Sequence, residues 1–126
     1  MGKSILGVVA GLFAFVALAT LAGLILRASW PAYASVASPP SFTLPMLLAR
    51  LSIGALATLA TGAAARLVAR SSRVSLVAGA ILVVLFVPQH IAIWPDFPVW
   101  YHLTFLTSLV PLALAGGTIA GCGGRS

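Results

Sequence analysis

Between Lys3 and Arg27 the chain runs for 23 residues, SILGVVAGLFAFVALATLAGLIL, without one charged side chain. At 1.5 Å per residue such a run makes a helical rod of roughly 35 Å, long enough to cross a hydrocarbon layer about 30 Å thick. A water-soluble fold has little use for it. The whole chain is of the same kind, with 61% hydrophobic and only 6% charged residues. Soluble domains carry about 25% charged residues, because their surface has to be covered. An integral membrane protein is the class this composition allows. A secretory signal peptide competes for the first run, since Lys3 precedes it and Ala17, Leu18 and Ala19 resemble a cleavage site. Signal cores are about 7–15 residues long, so a retained spanning helix is expected. The Met-Gly start is no myristoylation signal, because position 6 is Leu and not Ser or Thr.

Three further runs follow. Residues 27–44, with Pro31, Pro39 and Pro40 and with Trp30 and Tyr33 near the start, cannot continue a helix and read as an interfacial loop. A second span, 45–68, opens at Pro45, a residue suited to a first helical turn. It is built mostly of small residues. Gly54, Thr58 and Gly62 fall on one i, i+4 stripe with Ala57, Thr61 and Ala65 beside it, which predicts a central helix packed on its neighbours. A third span, 74–94, is expected to kink near Pro88. After the turn Pro95, Asp96, Phe97, Pro98, a fourth span covers 100–122. Gly7 with Gly11, Ala10 with Ala14, Ala19 with Gly23 and Gly117 with Gly121 are further small-xxx-small pairs. The expected architecture is all-α, a single membrane domain folded as a four-helix bundle.

The net charge of +6 does not indicate nucleic-acid binding, because the cations stand at the ends of apolar runs and not on a water-facing surface. They set orientation instead. Lys3, Arg66, Arg70, Arg73 and Arg125 flank one side, whereas the opposite loops carry Arg27 and the only carboxylate, Asp96. The positive-inside rule then puts both termini in the cytoplasm of an inner membrane. The single cysteine, Cys122, has no partner for an internal disulfide.

Arg50 is the residue that fits least well. It lies five residues after Pro45, roughly 8 Å into the second span. It can snorkel back to the interface, or face the bundle and meet an acceptor there. With the topology above, Arg50, Gln89, His90, Asp96 and His102 collect at the outer end as a candidate polar cluster. Three uses compete. A structural one pairs Arg50 with Asp96 or with a carbonyl near Pro88 and uses the histidines to cap the last loop, since polar groups in lipid must be satisfied internally. A second makes the cluster part of an oligomeric transporter or channel; proton-coupled cation export is excluded, because no span contains Asp or Glu. A third places haem or a metal at His90 and His102 with Asp96, since imidazoles on facing helices do ligate haem. No catalytic triad, activated nucleophile or Gly-rich phosphate loop is present, so no catalytic, metal or cofactor residue is assigned.

The start KSILGVVAGLF, the later AGAILVV and the PQH…WPDFPVWYH…PLALAGG pattern resemble a family of small four-helix bacterial membrane proteins of uncharacterised function. The resemblance covers most of the chain. It implies a four-helix inner-membrane bundle and no particular activity, cofactor or partner. High Ala, Val, Leu and Arg usage is in keeping with a GC-rich bacterial source. The expected role is non-catalytic: a structural or accessory component in contact with the lipid bilayer, acting through helix contacts with itself or with a membrane partner.

Overall fold

A backbone that leaves water must bond to itself, and each long apolar run does so as a helix. A computed structural model describes residues 2–35 and 42–123 of the chain; Pro39, Pro40 and Arg125 lie outside the described residues. The order is α1 (Gly2–Ser29), a short α2 (Pro31–Ser35), α3 (Leu44–Ala69), α4 (Ser72–Ala92) and α5 (Val99–Gly123), with a 3₁₀ turn over Trp94–Asp96 between the last two. Four of these, α1, α3, α4 and α5, are long and apolar enough to cross a membrane.

The boundaries differ from the expected ones in ways that have local causes. Helix α1 continues past Leu26 and takes Arg27 into its last turn. Pro31 then starts α2 instead of prolonging an irregular loop. Pro45 does sit in the first turn of α3, behind Thr43 as N-cap. Helix α4 is continuous through Pro88 and stops at Ala92. A proline removes one helical donor, and here it stands one turn from the end. Trp94 therefore belongs to the 3₁₀ turn and not to the span.

Only Arg70 and Ser71 separate α3 from α4. Arg70 takes the left-handed conformation (φ 58°), its N–H donates to the Arg66 carbonyl at 2.7 Å, and Ser71 Oγ accepts from the Arg73 N–H at 3.2 Å. The two helices therefore run antiparallel. As the long helices alternate in direction, α2 and the 3₁₀ turn come to one end of the bundle. Lys3, Arg66, Arg70 and Arg73 come to the other.

Helix α3 is the shared wall: α1 and α5 pack along it, and α4 closes the bundle against α5, α3 and α1. The reason is the face read from sequence. Gly54, Ala57, Thr58, Thr61, Gly62 and Ala65 are all buried. A Cβ on Gly62 would run into the Ala113 carbonyl of α5, and one on Gly116 into the Leu59 carbonyl of α3, so the two backbones touch without side chains between them. Across the same spot, Ser75 Oγ on α4 donates to the Gly62 carbonyl at 2.8 Å. Thr58 and Thr61 turn their hydroxyls back onto the Gly54 and Ala57 carbonyls, at 2.6 and 2.8 Å, so no polar group is stranded. On the other flank, a Cβ on Gly11 would stand 2.8 Å from the Thr61 carbonyl, and one on Gly7 2.8 Å from Ala69 Cβ. The small pair Ala19 and Gly23 does not behave this way, since a Cβ at Gly23 meets nothing within 4 Å.

The outward faces are apolar instead of charged. Phe13 is 74% exposed and Val84 70%, with Ile91 and Ile119 close behind. A surface of that kind suits acyl chains and not water.

These contacts separate two glycines that look alike in sequence. Gly62→Leu must push apart two backbones, which cannot yield as a side chain can, and is expected to cost about 3 kcal/mol or more. Gly23→Leu enters open space and is expected to stay within about 0.5 kcal/mol of the parent. Thermal unfolding of the two variants in one detergent checks this; equal melting temperatures would contradict the packing described.

Candidate functional site

Arg50 leaves α3 one and a half turns after its start and turns into the bundle, where it is half-buried. What meets it there is aromatic. Its Nη1 donates to the Tyr33 hydroxyl at 2.8 Å and its Nε to the Tyr101 hydroxyl at 3.2 Å. The guanidinium carbon also lies 4.9 Å from the centre of the Phe42 ring and 5.4 Å from that of Phe97. The four rings stack in sequence, Tyr33 on Phe42 (4.9 Å), Phe42 on Phe97 (5.7 Å) and Phe97 on Tyr101 (4.8 Å). They come from four separate pieces of chain: α2, the residue before Thr43, the 3₁₀ turn exit and the first turn of α5.

The expected pairing of Arg50 with Asp96 is therefore corrected. Asp96 is exposed in the 3₁₀ turn and contributes its backbone N–H to the Ile93 carbonyl at 3.0 Å. A carboxylate at a wet surface gains little by giving up its water, whereas a tyrosine is apolar along its ring and polar only at its tip. Two such tips satisfy the cation without bringing a second charge into the bundle. Nor does a carbonyl near Pro88 take part. The chain's one acidic side chain being elsewhere, Arg50 keeps its charge without a counter-ion among the described residues.

The histidines do come together, with each other. His90 on α4 and His102 on α5 are buried, at 4% and 0% exposure, with their Nδ1 atoms 2.7 Å apart. The tautomers follow from the neighbours. His102 Nε2 lies 3.2 Å from the Trp94 carbonyl, which can only accept, so Nε2 carries the proton. In a neutral pair His102 Nδ1 is then the acceptor and His90 Nδ1 the donor. That leaves the His90 Nε2 lone pair free of protein partners. As no fully buried side-chain nitrogen or oxygen among the described residues lacks a partner, this atom opens onto the adjoining cavity. Rings hold the pair in place: His102 lies flat on Trp94 at 4.4 Å and His90 on Phe105 at 4.8 Å. Ligation of one haem by both imidazoles needs nitrogens about 4 Å apart across the iron, twice a metal–nitrogen bond of ~2.0–2.1 Å. In this arrangement the two inner nitrogens are spent on each other and do not bracket one iron. Among the described residues, no group of three or more His, Cys, Asp or Glu could hold a metal ion.

Arg50, Gln89 and His90 share one half-open cavity of about 230 Å³ at this end of the bundle. Tyr33 and Tyr101 complete its polar wall. Phe15, Ala19, Gly23, Ile53, Gly54, Phe86, Ile93 and Phe105 make the rest. Its inner surface includes Phe15 and Phe105, members of the apolar core they form with Ala57, Leu82 and Leu109, so packed side chains lie directly beneath it. Of the five residues singled out in sequence, Arg50, Gln89 and His90 line this cavity, His102 stands behind His90, and Asp96 is apart. The four rings around Arg50 were missed. One signal was available: with no acid in any span, tyrosine hydroxyls at the same depth were among the side-chain acceptors left for an arginine.

The chain matches no family model, no curated protein and no solved structure.

The partners of Arg50 make a sharp expectation. Tyr33→Phe or Tyr101→Phe removes one acceptor from a cation and is expected to cost about 1.5–3 kcal/mol, while Asp96→Asn stays within about 0.5 kcal/mol. Thermal melts in detergent, extended to an Arg50–Tyr33 double-mutant cycle, test it. A large loss in Asp96→Asn with silent tyrosine variants would restore the acidic partner.

Proposed function

We propose that the chain is a multi-pass protein of a bacterial inner membrane with both termini in the cytoplasm. In this reading it has no catalytic role and is an accessory component whose outer end accepts a small anionic group. The four apolar helices and their exposed hydrophobic faces support membrane insertion. The split of cations, with Lys3, Arg66, Arg70, Arg73 and Arg125 set against Arg27 and Arg50, supports the orientation. A place among small four-helix bacterial membrane proteins rests on the motif resemblance alone, and a bend at Pro88 is part of the same reading.

The observation that carries the binding role is Arg50 itself. A guanidinium offers five donors, two are engaged by tyrosines, and three remain at the wall of a cavity whose other surfaces are mostly apolar. Its stacked rings hold it in position, so little ordering is left for a ligand to bring about. The solid core beneath the cavity favours binding over passage through a single chain. Transport in this reading requires further copies or a partner contributing helix contacts.

Two measurements test the proposal. Reporter fusions at the C-terminus are expected to behave as cytoplasmic, with a fluorescent protein bright and alkaline phosphatase inactive; the opposite result contradicts the orientation. Protein stripped of lipid in a neutral detergent is expected to gain melting temperature on phosphate titration, with about 2.7 kcal/mol at a hundredfold excess over Kd. Arg50→Gln should abolish the gain at matched ionic strength. An equal gain in the variant removes the anion-binding role.

A further inference from the structure

The Arg50 cavity has a neighbour along its apolar wall. Phe15, Ala19 and Phe86 are shared with a second, almost wholly apolar groove of about 280 Å³ between α1 and α4, lined further by Leu12, Val16 and Leu85. A pocket with a cationic head thus adjoins a slot whose one polar lining residue is Thr20. They meet at Ala19 and at the Phe15 and Phe86 rings, whose centroids are 5.2 Å apart. Ala19 lies on the boundary, and a Cβ at Gly23 would meet nothing within 4 Å.

We propose that cavity and groove together bind one amphiphile, an acyl lipid with an anionic phosphate headgroup, its phosphate at Arg50 and one chain along the α1/α4 groove. This rests on the anion-accepting reading above and names the ligand class. Charge complementarity selects the head: Arg50 has no acidic side chain beside it, and planar guanidinium donors match phosphate oxygens. Donor number favours phosphate over carboxylate. The three remaining N–H groups of Arg50 and the hydroxyl protons of Tyr33 and Tyr101, whose oxygens already accept from Arg50, exceed the roughly four lone-pair sites of a carboxylate. The His90 Nε2 lone pair and the Gln89 amide, on the same wall, suit a neighbouring headgroup hydroxyl. The groove selects the tail, because Leu12, Val16, Leu82 and Leu85 offer an acyl chain contact on both sides and a free inorganic ion nothing.

The test uses native mass spectrometry of the full chain in a mild neutral detergent, with three probes that take the ligand apart. Phosphatidic acid carries head and tail, diacylglycerol with the same chains lacks the phosphate, and inorganic phosphate lacks the chains. The wild type is expected to retain phosphatidic acid, to release diacylglycerol, and to keep its lipid in excess inorganic phosphate. Arg50→Gln should weaken retention by at least roughly tenfold, the size of one charge-assisted hydrogen bond. Gly23→Leu, which puts an apolar side chain into the cavity and leaves Arg50 in the chain, should do the same and stands in if the arginine variant does not fold. Equal retention of diacylglycerol, or retention unchanged in Gly23→Leu, overturns the proposal. Displacement of the lipid by inorganic phosphate overturns it too, but leaves the anion reading standing. If neither phosphatidic acid nor phosphate binds, both fall.

Discussion

A permanent positive charge more than one turn inside an apolar helix is the constraint on which this end of the protein depends. Arginine cannot shed its proton, and an isolated ion in a low-dielectric surround is costly by many kcal/mol. The chain meets that cost with aromatic tips and faces. Tyr33 has to reach back from α2, Phe42 has to lie just ahead of α3, and Phe97 and Tyr101 have to leave the 3₁₀ turn on the inner side. Each of these loops would otherwise be free to lie elsewhere on the surface. The guanidinium thus fixes the positions of three connecting segments at once. The stacked rings in turn make this end of the bundle a rigid wall and not a flexible rim.

The middle of the bundle works on the opposite principle. There, close approach is achieved by leaving side chains out. The α3/α5 contact at Gly62, Ala113, Leu59 and Gly116 places backbone on backbone, which gains dispersion over a wide area where lipid offers no hydrophobic drive for helix association. Ser75 adds one hydrogen bond across it. Where the small residues stop and the rings begin, the packing changes character. Phe15, Phe86 and Phe105 interlock at 5.1–5.2 Å, and the cavity opens above them. The site is a consequence of two packing regimes meeting, with His90 and His102 sealing the α4/α5 side.

Much of this was legible in the sequence, for reasons that differ by element. Uncharged length gave the four long helices. The small-residue face of α3 was readable because helical periodicity puts Gly54, Thr58 and Gly62 in line, and all are buried. Depth bookkeeping brought Arg50, Gln89 and His90 to one end, where they share a cavity. The partner of Arg50 was misread, since a rule that pairs opposite charges chooses Asp96, while exposure and loop geometry decide otherwise. Neither is encoded by periodicity. The His90–His102 bond spans a proline-rich turn whose shape no spacing rule supplies. Small pairs were equally ambiguous: Gly7 and Gly11 do pack on α3, but the Cβ space at Gly23 is empty and that at Gly121 faces the Arg66 guanidinium.

The central claim is that aromatic hydroxyls, and not the acid, hold the intramembrane cation. Magic-angle-spinning NMR of ¹³C,¹⁵N-labelled protein in lipid bilayers reads it directly, through contacts from the Arg50 guanidinium. The account predicts cross-peaks to the ring Cζ carbons of Tyr33 and Tyr101 and none to the Asp96 carboxyl carbon. A strong Arg50–Asp96 contact with no tyrosine cross-peaks would contradict it.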